Sequence, residues 1–232
     1  MKAVESRRQT AIDEKSELLK NRECIDTLKI PSIKAKSATV LSVQNLVPYY
    51  CDYCDNDNSN ALCKPVSFTL SDGERLCLSG KNGCGKSTIL KIIAGADISY
   101  SGSIAKAPGL KISVLPQDTN GLCGTLDEFS ERLGVDAELV RAILAKLGFS
   151  RRELIDRTEN LSAGQKKKVL IAGSLATPAN LYIWDEPLNF DIISRIQLER
   201  LLGANTPTML LAEHDRYFCE NTGTKRLYIT KG

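Results

Sequence analysis

Apolar and polar positions alternate along the chain with periods that change several times. Residues 1–30 carry apolar residues seven positions apart, which predicts an amphipathic helix with a narrow apolar seam. Residues 40–47 and 66–70 alternate with a period of two, which predicts a pair of strands around a long polar loop. Residues 126–133 and 137–147 return to helical spacing and predict a small helical insert.

Two apolar runs, residues 180–184 and 208–212, are typical of strands that are buried within a sheet. Asp185 and Glu186 follow the first run. The second run is followed by His214, with one acidic residue directly before it and one directly after it. Ligands bind at the carboxyl ends of the strands in open α/β sheets. These titratable groups are therefore candidates for a functional site.

Residues 80–88 read Gly-Lys-Asn-Gly-Cys-Gly-Lys-Ser-Thr. In such a pattern, small residues let successive backbone N–H groups wrap around a polyphosphate at the start of a helix. A strand pattern over 74–79 precedes the stretch, and a helical pattern over 89–93 follows it until Gly95. A glycine-rich turn that matches by chance is the alternative, but the flanking strand and helix argue against it. The stretch is predicted to be a phosphate loop.

A later helix is predicted to begin at a capping box formed by Ser162 and Gln165 and to run to about Leu175. Residues 166–168 place three lysines in its first turn, where the helix dipole favours anions. This placement predicts a negative partner there, such as a nucleotide phosphate. Lysines that face solvent are the alternative interpretation.

Composition and charge exclude several classes of protein. A net charge of +3 is too small to predict a nucleic-acid partner by itself. No apolar run approaches the roughly 20 residues that span a bilayer, and the first residues lack the apolar stretch of a signal peptide. The chain is therefore expected to be cytoplasmic, without direct membrane insertion.

The eight cysteines are expected to be free thiols, because disulfides are rare in cytosolic proteins. Cys51, Cys54 and Cys63 lie close together in sequence and would supply at most three ligands to a metal. A zinc site usually needs a second Cys pair or a His pair, so cysteines in a polar loop are the favoured interpretation. The single histidine, His214, excludes any His-rich site.

Five stretches, in their order along the chain, resemble the motifs of the ATP-binding cassette (ABC) ATPases. They are residues 80–88 (Walker A), Gln117 (Q-loop), residues 161–165 (signature, with Ala163 in place of the usual Gly), Asp185 and Glu186 (Walker B) and His214 (switch histidine). The resemblance extends over residues 39–230. It implies an α/β fold with a P-loop NTPase (RecA-like) core sheet flanked by helices, an N-terminal antiparallel β-subdomain and a small helical subdomain.

The resemblance also implies a domain organisation. The ATPase domain would occupy residues 37–232, with its helical subdomain at about 121–165. Residues 1–36 would be a helical linker tail.

On this resemblance the ligands are ATP and Mg²⁺. The loop residues expected to bind the nucleotide are Gly80, Asn82, Gly83, Cys84, Gly85, Lys86, Ser87 and Thr88. The Lys86 ammonium would meet the β- and γ-phosphates. Ser87, Gln117 and Asp185 would bind the metal, the last through water. Glu186 would be the general base, with Gln117 and His214 sensing the γ-phosphate.

An aromatic residue after the first strand is expected to stack on the adenine ring. The candidates are Tyr49 and Tyr50, and Tyr50 is the one assigned to the site. A Tyr that packs in the core is the alternative interpretation.

In this family a signature motif closes over the nucleotide of the opposing domain. Ser162, Gly164 and Gln165 would therefore bind nucleotide held by another cassette. A chain with one of each motif needs a homodimer or a second ABC ATPase domain. Hydrolysis by the isolated monomer is expected to be weak or absent.

The residues around Walker B, the signature and His214 resemble the second cassette of the ABC-F proteins, particularly the antibiotic-resistance branch. This implies ribosomal (rRNA) association and a first cassette outside this chain. One departure is the D-loop, Asn189-Phe190-Asp191, which is one residue short, so that communication across a dimer is expected to be disturbed. Alternatives are the ATP-binding subunit of a membrane transporter and an inactive nucleotide-binding remnant.

Overall fold

A computed structural model describes residues 28–49, 61–188 and 190–232 of the chain. Several predicted features lie outside the described residues. They are most of the helix over residues 1–30, the residues Tyr50, Cys51 and Cys54, and Asn189 of the D-loop. Predictions that rest on them therefore stay predictions.

The smaller sheet has three antiparallel strands in the order β2-β1-β4. Its strands are β1 (Thr39–Pro48), β2 (Val66–Ser71) and β4 (Tyr100–Lys106). The period-two pattern that predicted β1 and β2 is confirmed, and the two strands pair with each other. This sheet packs one face onto the rest of the molecule through buried residues such as Val40 and Leu46.

The larger sheet has five parallel strands in the order β5-β6-β7-β3-β8. Its strands are β3 (Arg75–Ser79), β5 (Ile112–Val114), β6 (Leu181–Asp185), β7 (Met209–Ala212) and β8 (Lys225–Tyr228). Every residue of β6 and β7 is buried, as expected for central strands covered on both faces. The predicted α/β fold, with a P-loop NTPase core sheet and a separate antiparallel sheet, is confirmed.

The helices are α1 (Lys86–Ala94), α2 (Leu126–Leu133), α3 (Ala137–Lys146), α4 (Arg151–Ile155), α5 (Ala163–Ala176), α6 (Ile192–Asn205) and α7 (Arg216–Asn221). The two helices predicted between 126 and 147 are confirmed as α2 and α3. Helix α3 packs on both α2 and α5.

Strand β6 divides the core because successive side chains point to opposite faces of the sheet. Leu181 and Ile183 pack with α1 and the antiparallel sheet. Tyr182 and Trp184 pack on the other face, among residues from α3, α5 and α6. The buried Trp184 Nε1 donates a hydrogen bond to Ser174 Oγ of α5 (3.0 Å), which fixes that helix over the sheet.

Residues 28–34 pack against the edge of the sheet opposite the phosphate loop. Ile30 is buried, and its N–H donates to Asn205 Oδ1 (2.8 Å). Asn205 Nδ2 in turn donates to Leu28 O (3.1 Å), and Asn180 Nδ2 donates to Ile33 O (3.0 Å). The segment is thus held by the end of α6 and the start of β6. The domain boundary after residue 36 stays a prediction.

No helix within the described ranges is long and apolar enough to cross a membrane.

Two helical glycines give a matched test of this packing. A Cβ on Gly173 of α5 would lie 2.7 Å from Phe129 Cζ, whereas one on Gly203 of α6 would meet nothing within 4 Å. We expect Gly173→Ala to lower the free energy of unfolding by about 1–3 kcal/mol, because α2 must move away. Gly203→Ala should raise it by up to about 1 kcal/mol, because Ala is the better helix former. Urea unfolding measures both, and equal effects would contradict the packing of α2 on α5.

Candidate functional site

Residues 80–85 form a loop between β3 and α1, at the carboxyl edge of the parallel sheet. Gly85 precedes α1 with a φ of 92°, a left-handed conformation that favours glycine. A Cβ on Gly80 would lie 2.4 Å from Ile229 O, so only glycine allows the loop to approach the residue after β8 so closely. The loop conformation therefore depends on these two glycines.

The Lys86 ammonium lies at the centre of the loop. Its Nζ donates to Gly80 O (3.0 Å) and to Lys81 O (3.2 Å), and the side chain is buried. A cavity of about 270 Å³ opens beside it, lined by Leu62, Asn82, Gly83, Gly85, Lys86, Ser87, Thr88 and Glu186. Most of the predicted nucleotide-binding residues of the loop therefore border one cavity that contains a cation.

Gly80 and Cys84 are the two of these loop residues that do not border this cavity. The Cys84 side chain is buried, and a Cβ on Gly80 would come within 2.7 Å of its Sγ. Its N–H donates to Lys81 O (3.3 Å), so this amide is already paired within the loop. Burial, with Cys84 nearby, raises the pKa of the neighbouring Cys63 thiol to about 11. The Cys63 thiol is therefore expected to be protonated and poorly reactive at neutral pH.

The three predicted metal ligands, Ser87, Gln117 and Asp185, line a second cavity of about 350 Å³. Gln117 Nε2 donates to Asp185 Oδ2. Asp185 Oδ1 is buried and has no hydrogen-bond partner among the described residues. A hydroxyl, an amide oxygen and a carboxylate are the oxygen ligands that Mg²⁺ prefers, often with its own waters. The unpaired oxygen therefore fits a hydrated Mg²⁺.

Glu186 and His214 face each other from neighbouring strand ends. The Glu186 N–H donates to Ala212 O (3.0 Å), and its φ of 47° is unusual for a residue other than glycine. Glu186 Oε1 lies 3.5 Å from His214 Nε2, and both side chains are about half exposed. Glu186 also borders the cavity beside Lys86. The structure thus brings the predicted base, the predicted γ-phosphate sensor and the loop together.

Glu213 is a buried acid that was among the titratable candidates after the second apolar run but had no predicted role. Its Oε1 accepts hydrogen bonds from the N–H groups of His214 (2.7 Å) and Asp215 (3.2 Å). Burial raises the pKa of its carboxyl above the usual range. The signal in the sequence was an acidic residue placed directly against an apolar run.

The lysines at the start of α5 have a different role from the one that the sequence predicted. Lys167 and Lys168 are buried, so solvent exposure does not explain them. Lys168 Nζ lies 2.8 Å from Asp191 Oδ2. Burial lowers the pKa of Lys167, while Asp185 and other nearby carboxylates oppose that shift. The negative partners of these two lysines therefore belong to the chain itself.

Asp191 links α5 to α6. It accepts a hydrogen bond from Ser194 N (2.9 Å) as the N-cap of α6, and its other oxygen meets Lys168. The pKa of Asp191 is held well below its usual range. The hydrogen bond from Lys168 is the main cause, and the hydrogen bonds from Ser194 add to it. Although the D-loop is one residue short, its aspartate is thus tied to the helix that begins at the signature.

The signature residues lie apart from the phosphate loop of the same chain. The capping box is confirmed, since Ser162 Oγ accepts from Gln165 N (3.3 Å) and Gln165 Oε1 accepts from Ser162 N (2.8 Å). Ser162, Gly164 and Gln165 line neither of the two cavities beside the loop. One chain does not bring its own signature to its own loop.

Tyr49 directly follows the first strand, and its hydroxyl pairs with Ser101 Oγ (3.1 Å). Tyr50 lies outside the described residues, so the choice of an adenine-stacking residue stays a prediction.

Comparison with known proteins defines the class. The family model described as ABC transporter matches residues 63–189, so the chain belongs to this family of ATP-binding cassettes. The dimeric structure of MJ0796, described as a bacterial ABC transporter cassette, has the same fold, with a TM-score of 0.67. It is 19% identical, and the match covers 82% of this chain and 94% of that one.

The curated proteins that are similar in sequence to this chain include ABC-F proteins. The ribosome protection protein VmlR of Bacillus subtilis is 31% identical, over 82% of this chain and 34% of its own length. ABC transporter F family member 2 of Arabidopsis thaliana is 26% identical, over 98% of this chain and 35% of its own length. The chain thus spans about a third of the length of the curated relatives that it matches.

The ion pair between Asp191 and Lys168 predicts a pH-dependent stability. A carboxyl group whose pKa is lower in the folded than in the unfolded chain stabilises the fold at pH values above its unfolded pKa, about 3.9. This stabilisation is lost as the pH falls below that value. We expect Asp191→Asn to be less stable than the unchanged chain at pH 7, because it leaves Lys168 buried and unpaired. The difference in the free energy of unfolding between the variant and the unchanged chain should become smaller below about pH 4. Solvent screening limits its size, since the Asp191 side chain is 55% exposed.

Urea unfolding across the pH range measures this difference. Asp136→Asn is the matched control, because Asp136 is the exposed N-cap of α3 and Asn caps helices about as well as Asp. A difference for Asp191→Asn that stays constant down to pH 2 would contradict the ion pair.

Proposed function

We propose that the chain is an ATP-binding and ATP-hydrolysing ABC-F cassette that works with a second cassette and with Mg²⁺. One observation carries the proposal. The buried Lys86 ammonium, the unpaired Asp185 oxygen and Glu186 border adjoining cavities at the carboxyl edge of one sheet. His214 Nε2 lies 3.5 Å from Glu186 Oε1. Family membership supports the choice of ATP as ligand.

The loop would bind the triphosphate by exchanging partners. Lys86 now donates to two loop carbonyls, and phosphate oxygens would take the place of these acceptors. The N–H groups at the start of α1 and the positive end of its dipole favour the same anion. Ser87, Gln117 and Asp185 would hold Mg²⁺, which when bound neutralises charge on the phosphates. Binding therefore needs little rearrangement of the backbone.

Glu186 would act as the general base. Its carboxylate is half exposed and borders the cavity beside Lys86, so it can accept a proton from a water molecule that attacks the γ-phosphate. His214, 3.5 Å away, would hold the carboxylate toward that water and contact the γ-phosphate. The hydrogen bond from Glu186 N to Ala212 O fixes the backbone beneath both side chains.

A second cassette, or a second copy of the chain, would complete the site. Ser162, Gly164 and Gln165 lie at the start of α5 and border neither cavity beside Lys86, so a signature from elsewhere would have to close over the nucleotide. The structure of MJ0796 is described as dimeric, which supports the same arrangement here.

The relatives support a role at the ribosome. VmlR is named a ribosome protection protein, and we propose that this chain likewise contributes to ribosome association and antibiotic resistance in the cytoplasm. Because the chain spans about a third of VmlR, these activities would belong to a larger assembly that includes a further cassette.

The proposal predicts the effect of Glu186→Gln on ATP turnover, with and without ribosomes. We expect the substitution to lower turnover by about 10²-fold or more, because an amide cannot accept the proton. Ribosomes should raise the turnover of the unchanged chain. Glu131→Gln, an exposed carboxylate on α2, is the control and should leave turnover unchanged.

Phosphate release measures all of these rates. Equal turnover by the unchanged chain and Glu186→Gln under both conditions would reject the enzymatic function. Turnover that depends on Glu186 but does not respond to ribosomes would reject the ribosomal part alone.

A further inference from the structure

Glu213 occupies an unusual position for an acidic residue. It directly follows the buried strand β7 and is only 7% exposed. Its backbone carbonyl accepts a hydrogen bond from Cys77 Sγ (3.4 Å) of β3, the strand that leads into the phosphate loop. The residue is therefore held between the two strand ends that carry His214 and the loop.

The two carboxylate oxygens of Glu213 have unequal surroundings. Oε1 accepts from the N–H groups of both following residues, His214 (2.7 Å) and Asp215 (3.2 Å). Oε2 is buried and has no hydrogen-bond partner among the described residues. An unpaired buried oxygen costs free energy, so stability alone does not account for a carboxyl group here. The bonds made by Oε1 suggest a positional role.

These bonds fix the segment that carries His214 from one side, and α7 fixes it from the other. Asp215 accepts from Phe218 N (3.1 Å) as the N-cap of α7 and pairs with Arg195 of α6. His214 therefore lies between two held residues. Its imidazole points toward Glu186, with Nε2 3.5 Å from Oε1.

We propose that Glu213 is a positioning residue, whose buried carboxylate holds the backbone of His214 so that the imidazole faces Glu186. The inference rests on the proposed function for its consequence in hydrolysis, since His214 and Glu186 are the sensor and base there. The geometry itself exists without nucleotide. Loss of the Oε1 acceptor frees two N–H groups and lets the segment between β7 and α7 rotate.

The chain contains one histidine and one tryptophan, which gives the test two unambiguous NMR signals. The imidazole signal of His214 reports its contact with Glu186. The indole N–H signal of Trp184, buried in β6 and bonded to Ser174, reports whether the core is intact.

The experiment is a double-mutant comparison on the full chain without nucleotide. Glu186→Gln should shift the His214 signal in the otherwise unchanged chain, because it removes the facing carboxylate charge. It should still do so beside Glu213→Gln, which keeps the Oε1 acceptor. Beside Glu213→Ala, the shift caused by Glu186→Gln should be lost while the Trp184 signal stays in place.

Two results would overturn the proposal. One is a His214 shift that survives in the Glu213→Ala background. The other is a Trp184 signal that moves together with His214, which would mean that Glu213 only supports the core. If Glu213→Ala does not fold, Glu213→Met gives the same comparison, because its unbranched side chain fills similar space but carries only a weak acceptor for the two N–H groups. We expect the shift to be lost there also, and its retention would overturn the proposal.

This comparison needs no hydrolysis. Its failure would leave the proposed ATPase function standing, and failure of the turnover experiment would leave the positional role of Glu213 standing.

Discussion

The parallel pairing of β6 with β7 decides where each acidic group of the candidate site lies. Tyr182 pairs with Met209 and Asp185 with Ala212, and one further bond joins Glu186 N to Ala212 O (3.0 Å). Because side chains alternate between the faces of a strand, a slip of one residue would exchange the two faces of the core. The apolar side chains on both faces of β6 therefore hold the register that places Glu186 opposite His214.

A second interaction extends this arrangement into the helices. Lys168 of α5 and Asp191 at the start of α6 form an ion pair, and Arg195 of α6 pairs with Asp215 beside His214. A continuous series of contacts thus runs from the helix that begins at the signature, through the D-loop aspartate, to the segment that carries the histidine. Since the signature would serve one nucleotide and His214 another, these contacts give a physical route for coupling two sites.

Local patterns were sufficient to predict the phosphate loop, the buried strands, the helices α2 and α3 and the capping box of α5, because each depends on residues near in sequence. The partners of Lys167 and Lys168 could not be predicted in the same way. They depend on where distant carboxylates lie once the sheet has formed. The role of Glu213 could not be predicted, because its side chain turns back onto the next two N–H groups, which no periodicity indicates.

Each nucleotide site would be completed by a signature from another cassette. Trans-complementation between two inactive variants of this chain tests this most directly. Glu186→Gln removes the base but keeps the signature. Gly164→Asp keeps the base but places a negative charge in the first turn of α5, where the charge suits the helix dipole but repels phosphate. A mixture of the two should hydrolyse ATP faster than either alone, because one intact site forms across each mixed pair. A mixture that gives only the average of the two separate rates would contradict the account.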